Sequence, residues 1–199
     1  MFNRKSTFRV AGVLLIGGLL SVWLAYSLKA DDDKGKTVED LQKEGYLGQP
    51  DHLVAHRLVI GKPMPKLEFS DWLGGKEIKP EDLKGKLVVV DFWATWCGPC
   101  IRSIPHNNEV YHKYADKGVV LIGACGGGEE EKMAETASKN KVAYPMAKVS
   151  EASTKDWQVQ YWPTYAVVDR TGTVRALGIA PDYVEKVLDL LLKEQPEKK

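Results

Sequence analysis

The sequence predicts an α/β domain in which helices cover a mixed β-sheet, preceded by a membrane-spanning anchor. Three observations carry the fold class. Two Val-rich apolar runs have strand length, helical patterns lie between and after them, and a Tyr-Ala-Val-Val segment meets a polar turn and a return strand. The 199 residues allow one domain plus an appendage. Hydrophobic residues at 44% and charged residues at 28% are near globular averages, which excludes wholesale disorder and collagen-like chains. Lys and Arg number 28 against 27 Asp and Glu, so no basic excess exists to hold nucleic acid. Three cysteines are too few for a disulfide-stapled scaffold.

The elements follow in chain order. Residues 1–9 form a basic segment with Arg4, Lys5 and Arg9. Residues 10–28 are 19 positions without a charge, the length of a membrane-spanning helix. A cleaved signal peptide is the alternative, because Ala25 and Ser27 would suit a cleavage site. Lys29, Lys34, Lys36 and Lys43 follow the run, so the Lys/Arg count alone does not orient it. A short basic N-terminus, one apolar run and one large domain together resemble a signal anchor. That arrangement puts the domain on the extracytoplasmic side. Residues 29–57 read as a polar tether, with a helical turn or two over residues 38–46. His52 and His56 have the i, i+4 spacing of a metal pair, but no third ligand matches, which favours a solvated loop.

The domain is expected over residues 58–195, with a tail at 196–199. Residues 86–92 and 119–124 are apolar strands buried on both faces. Residues 165–168 and 173–177 form a hairpin about Asp169-Arg-Thr-Gly172. Helices are predicted over 99–116, ending before Gly118, over 129–140, and over 182–193. In the last, Asp182 and Glu185 resemble a capping box, and Val184, Val187, Leu188 and Leu191 make one apolar face.

The chemistry lies in ATWCGPC, residues 94–100, between a buried strand and a helix start. The helix N-terminus offers unpaired N–H groups and partial positive charge, which favour a thiolate at Cys97. As the cap of that helix, Cys97 is expected to be the more exposed of the two thiols. Cys100 stands one turn on, on the same face, and can attack a mixed disulfide formed at Cys97. Pro99 suits the first turn, where its missing N–H costs little. Half a zinc site is a weaker reading, because no second CxxC or His pair follows. A c-type haem site needs His where Ile101 stands. A purely structural disulfide gains little from so short a loop. Cys125, at the end of the second strand, reads as a small buried residue, with a third redox or metal role as the alternative.

The segment Val90-Asp-Phe-Trp-Ala-Thr-Trp-Cys-Gly-Pro-Cys100 closely resembles the thioredoxin active site. Residues 60–69, residues 83–88 and the insertion over 125–152 are similar to the membrane-anchored TlpA/ResA branch and the AhpC/TSA-related redoxins. The resemblance spans residues 58–193 and implies a thioredoxin fold. It implies Cys97 as nucleophile, Cys100 as resolving thiol, the two as a redox-active disulfide, and Asp91 as proton acceptor for the second cysteine. A carboxyl at the end of a buried strand should have a raised pKa, which suits that role. Pro105 matches the helix proline of the family. Trp162-Pro163 matches its cis-proline, and Trp96, Gly98, Pro99, Trp162 and Pro163 would line the substrate groove. Trp93 would pack beneath the site. Two departures stand out: many TlpA/ResA relatives carry Asn where Asp91 stands, and Tyr161 replaces a small residue. A peroxiredoxin would carry Pro and Thr or Ser where Val90 and Ala94 stand.

The resulting expectation is a membrane-tethered thiol–disulfide oxidoreductase that reduces protein disulfides. It needs no bound cofactor and no metal, and an upstream membrane protein re-reduces it. The alternatives are a thiol-dependent antioxidant peroxidase and a redox-gated interaction module.

Overall fold

The computed structural model describes residue 33 and residues 35–194. Among the described residues there are six strands: β1 (Phe69–Leu73), β2 (Leu87–Trp93), β3 (Val119–Cys125), β4 (Met146–Val149), β5 (Thr164–Val168) and β6 (Val174–Ile179). The same residues form six α-helices: α1 (Val38–Glu44), α2 (Pro50–His56), α3 (Gly98–Tyr114), α4 (Met133–Lys139), α5 (Glu151–Asp156) and α6 (Pro181–Lys193). The strand order is β1-β4-β3-β2-β5-β6. β3 runs parallel to β2 and β4, while β1, β5 and β6 pair antiparallel. The sheet is therefore mixed, as expected.

β2 is the central strand and every residue of it is buried. Its period of two divides the core. Leu87, Val89 and Trp93 join the cluster that contains Cys97, Cys100, Val110, Tyr114, Val184, Val187 and Leu188. Val88, Val90 and Phe92 join the opposite cluster with Ile122, Ala166 and Trp157. Alternation puts Asp91 on the first face, beneath α3 and α6. The apolar stripe of α6 is buried as its spacing predicted. Its start differs: Ala180 is the N-cap and Pro181 opens the first turn, so Asp182 is not a capping residue.

Two strands escaped the sequence reading. β1 is interrupted at Asp71, whose φ is 52°, and its register with β4 shifts between Ser70 and Leu73. β4 has only four residues. Neither shows the strict alternation or the continuous apolar run that marks a strand. The 129–140 helix begins as a 3₁₀ turn at Glu130–Lys132 and becomes α-helical only at Met133.

The expected tether is corrected over its larger part. The compact unit begins at Thr37, not at residue 58. Thr37 caps α1 through a reciprocal bond pair with Asp40. Val38, Leu41 and Gln42 are buried. Gln42 acts as a strand residue would: its Nε2 donates to the Leu177 carbonyl (2.8 Å), and its Oε1 accepts from the Leu177 N–H (2.8 Å). The Ala180 N–H donates to the Gly45 carbonyl, and Tyr46 bridges to Ile179. These bonds cover the free edge of β6.

His56 is likewise not a solvated residue; it is fully buried. Its Nε2 faces the Gln158 carbonyl at 3.1 Å, which requires an N–H there. Its Nδ1 then accepts from the Tyr46 hydroxyl at 3.0 Å. Burial holds the imidazole pKa below its ordinary value. Tyr161 completes the group through a bond to the Gly178 carbonyl (3.1 Å). Gly178 has φ of 79°, and a side chain there would meet Tyr161, His56 and Tyr46. The uncharged run at residues 10–28 lies outside the described residues; among those described, no helix is long and apolar enough to cross a membrane.

Candidate active site

Strand register brings three loops to one end of the sheet. Phe92 pairs with Thr164, and Trp93 pairs with Cys125. The chain leaving β2 carries the cysteine motif. The chain leaving β3 is Gly126-Gly-Gly128, and the chain entering β5 is Trp162-Pro163. Ligands in α/β sheets gather where such strand ends diverge.

Cys97 is the N-cap of α3 and Cys100 closes its first turn. The two are joined as a disulfide, with an S–S distance of 2.07 Å. The Cys100 N–H donates to Cys97 Sγ at 3.2 Å. The helix therefore directs an otherwise unpaired N–H at that sulfur, an arrangement that stabilises a thiolate on reduction. Both cysteines are buried, with exposures of 3% and 2%. In this disulfide form the two are enclosed to nearly the same degree. Gly98 and Pro99 between them are exposed.

Trp96 is 55% exposed and is held from one side: its Nε1–H donates to the Gly127 carbonyl at 3.0 Å. Trp162 packs on the same glycines. A Cβ built on Gly127, whose φ is 79°, would lie 2.6 Å from the Trp162 indole nitrogen. The triple glycine thus lets one loop seat two tryptophans, an arrangement the sequence reading did not anticipate. Trp162–Pro163 is cis, as the resemblance implied, and Pro163 is buried. Trp93 is buried beneath the motif.

Asp91 is 2% exposed. Burial raises its pKa from 3.8 to about 7, against the lowering influence of the Tyr144 and Tyr165 hydroxyls. Its Oδ2 accepts from Asn107 Nδ2 (2.9 Å) and from the Tyr144 hydroxyl (3.3 Å). Its Oδ1 is buried and has no hydrogen-bond partner among the described residues. Asn107, Tyr144 and Tyr165 were missed from sequence. Asn107 carried a legible signal, standing between Ile104 and Val110 on the buried stripe of α3. A polar amide at a core position calls for a partner. Tyr144 and Tyr165 gave no such signal, because tyrosine is at home in a core.

Cys125 is fully buried and unpaired. Burial, then the charge of Glu130, pushes its thiol up to about 12. A thiol held protonated is a small core residue and a poor nucleophile. Among the described residues, no three of His, Cys, Asp and Glu converge as a metal ligand set.

Comparison with known proteins agrees with this geometry. The AhpC/TSA family matches residues 60–177. Thiol-disulfide oxidoreductase ResA of Bacillus cereus is 35% identical, over 99% of this chain and 95% of that protein. ResA of Bacillus anthracis is 28% identical over the same shares. Among solved structures, the thioredoxin domain of a thiol-disulfide oxidoreductase from Bacteroides vulgatus aligns with a TM-score of 0.58 at 23% identity. It covers 66% of this chain and 97% of that domain, and it supports the fold alone.

Proposed function

We propose, from the premise that the chain belongs to the AhpC/TSA family and is a thioredoxin-like thiol–disulfide oxidoreductase, that it reduces disulfides of protein substrates outside the cytoplasm. The observation that carries this reading is the Cys97–Cys100 disulfide at the N-terminus of α3. In the reduced protein, the Cys97 thiolate attacks a substrate disulfide. One substrate sulfur leaves, and a mixed disulfide with Cys97 forms. Cys100 then loses its proton to Asp91 and attacks Cys97 Sγ. The Cys97–Cys100 bond forms, the mixed disulfide breaks, and the second substrate sulfur leaves and takes up a proton. Two electrons have passed to substrate, and a membrane-borne dithiol donor restores the pair.

Asp91 suits the proton step because a carboxyl with a pKa of about 7 exchanges protons near neutrality. Trp96, Gly98, Pro99, Trp162 and Pro163 form the groove in this reading. The exposed indole of Trp96 and the exposed Gly98-Pro99 turn give a substrate chain somewhere to lie. Gly98 and Pro99 bring no cation between the cysteines. The motif itself therefore adds no cation to the stabilisation that the start of α3 gives a thiolate, which favours a reductant-like potential on the thioredoxin side of glutathione.

The run at residues 10–28 supports an anchor that holds the domain on the extracytoplasmic side. The near end-to-end match to ResA of Bacillus cereus supports the same assignment of protein disulfides as substrates. The test is direct. Reduction of insulin by dithiothreitol should accelerate in the presence of the protein, and Cys97→Ser should abolish the effect. Cys100→Ser should accumulate a mixed disulfide. Rapid turnover of peroxide with no effect on insulin would replace this reading with a peroxidase. A compartment-sensitive reporter fused after Lys199 should be active only when exported.

A further inference from the structure

Asp91 sits in a polar cage whose members come from three separate elements. Asn107 lies on α3, Tyr144 in the loop before β4, and Tyr165 on β5. All are buried, at 2%, 1% and 1% exposure. Asn107 is the hub. Its Nδ2 donates to Asp91 Oδ2 and to the Tyr165 hydroxyl, each at 2.9 Å. Its Oδ1 accepts from the Tyr165 hydroxyl at 3.1 Å. The Tyr144 hydroxyl adds the second bond to Asp91 Oδ2.

The cage is one-sided. Both of these bonds to the carboxyl end on Oδ2, while Oδ1 has no partner among the described residues. A buried carboxyl held for stability alone gains by bonding both oxygens. Here one oxygen is saturated and the other is left as the open proton acceptor. We infer that Asn107, assisted by Tyr144, is a positioning residue that fixes Oδ2 of Asp91 and reserves Oδ1 for the proton released by Cys100. This rests on the reading of Asp91 as the proton acceptor for that cysteine.

The sign of the effect follows from the donors. An N–H or O–H that bonds the carboxylate favours its charged form. The cage therefore opposes the upward drive of burial and keeps the acid usable near neutrality. Removing a donor should push the acid higher. The titratable groups facing Asp91 do not confuse the readout. Tyr144 and Tyr165 are held well above their ordinary value by burial, the Cys125 thiol lies near 12, and Cys97 and Cys100 are bonded to each other.

The experiment uses the full chain in its oxidised form, where neither site cysteine titrates. The carbonyl stretch of the protonated acid is followed by infrared spectroscopy from about pH 5 to about pH 9, a window that brackets a midpoint near 7. Asp91→Asn should abolish the titrating band and so assign it. Asn107→Leu should raise its midpoint by about one pH unit, a tenfold change in the ionisation constant. Tyr144→Phe should raise it in the same direction by less, and it keeps the ring should Asn107→Leu fail to fold. Insulin reduction by both variants should fall several-fold at neutral pH and recover as pH rises past the new midpoint.

A midpoint unmoved in Tyr144→Phe and in folded Asn107→Leu would overturn the positioning role and leave the cage as core packing. A midpoint that moves, with insulin reduction indifferent to Asp91→Asn at every pH, would overturn the proton-acceptor reading beneath it.

Discussion

Replacing Asp91 by Asn should stabilise the oxidised protein, and the gain should depend on pH. In the folded state the carboxyl titrates near 7, and in an unfolded chain near 3.8. Below about pH 4 both states hold the proton, and Asp91 differs little from a neutral residue. Between about pH 4 and about pH 7 the unfolded chain releases it and the folded protein does not, so the fold loses stability as pH rises. Above that range the folded protein carries a buried carboxylate, and the loss is complete. The shift from 3.8 to about 7, at 1.36 kcal/mol per unit, sets a ceiling of about 4 kcal/mol. The Asn amide oxygen can accept from Asn107 and Tyr144 as Oδ2 does. Its NH₂ then occupies the unpartnered Oδ1 position, which takes back about 1–3 kcal/mol wherever no water reaches it. That offset is independent of pH, so the slope of the difference is the observable. Urea unfolding of parent and variant, read by tryptophan fluorescence at several values from about pH 4 to about pH 8, measures it. The stability difference should move in favour of the variant by several kcal/mol across that range. A difference that stays flat would refute the argument that burial governs this carboxyl.

Gly127→Ala places a methyl group against the Trp162 indole at a φ of 79°, so it should destabilise by about 1–3 kcal/mol and slow insulin reduction more than reduction of a small disulfide; thermal unfolding and paired substrate assays check both. Trp96→Phe removes the N–H bonded to the Gly127 carbonyl while keeping an aromatic ring; stability should change by no more than about 1 kcal/mol, with a rise in KM for protein substrates. Cys125 should resist iodoacetamide at mildly alkaline pH in the native protein, and Cys125→Ala should retain insulin reduction, since its thiol lies near 12; mass spectrometry of the labelled protein reads the first.

The sequence disclosed those parts of the fold whose signal is local. β2 and β3 are continuous Val-rich runs, α6 has a clean apolar stripe, and the motif sits where a strand meets a helix. The signal failed where structure depends on distant partners. β4 is four residues that form a strand because β1 and β3 flank them. The segment Val38–His56 is polar enough to look like a tether, yet Leu41 and His56 are fully buried against β6 and its neighbours. His56 shows why composition misleads: both of its nitrogens find partners well beyond its own helix, at Tyr46 and Gln158. The site divides the same way. Cys97, Cys100, Asp91 and Pro163 are carried by a contiguous motif and a resemblance, whereas the Asn107 cage exists only once three elements have met.

The group formed by Tyr46, His56, Tyr161 and Gly178 has a consequence for where this protein can be cut. The family match begins at residue 60, a natural place to start a soluble fragment. Such a fragment would discard Gln42 and leave the Leu177 N–H and carbonyl, both interior, without the side chain that bonds them. It would also strip His56 and Tyr46 from Tyr161, the residue next to Trp162 and two before the cis-proline. A trimmed protein could keep its cysteines and still lose the shape of its groove. The stretch matched by the AhpC/TSA family is therefore smaller than the stretch that folds, and a faithful recombinant version begins no later than Thr37.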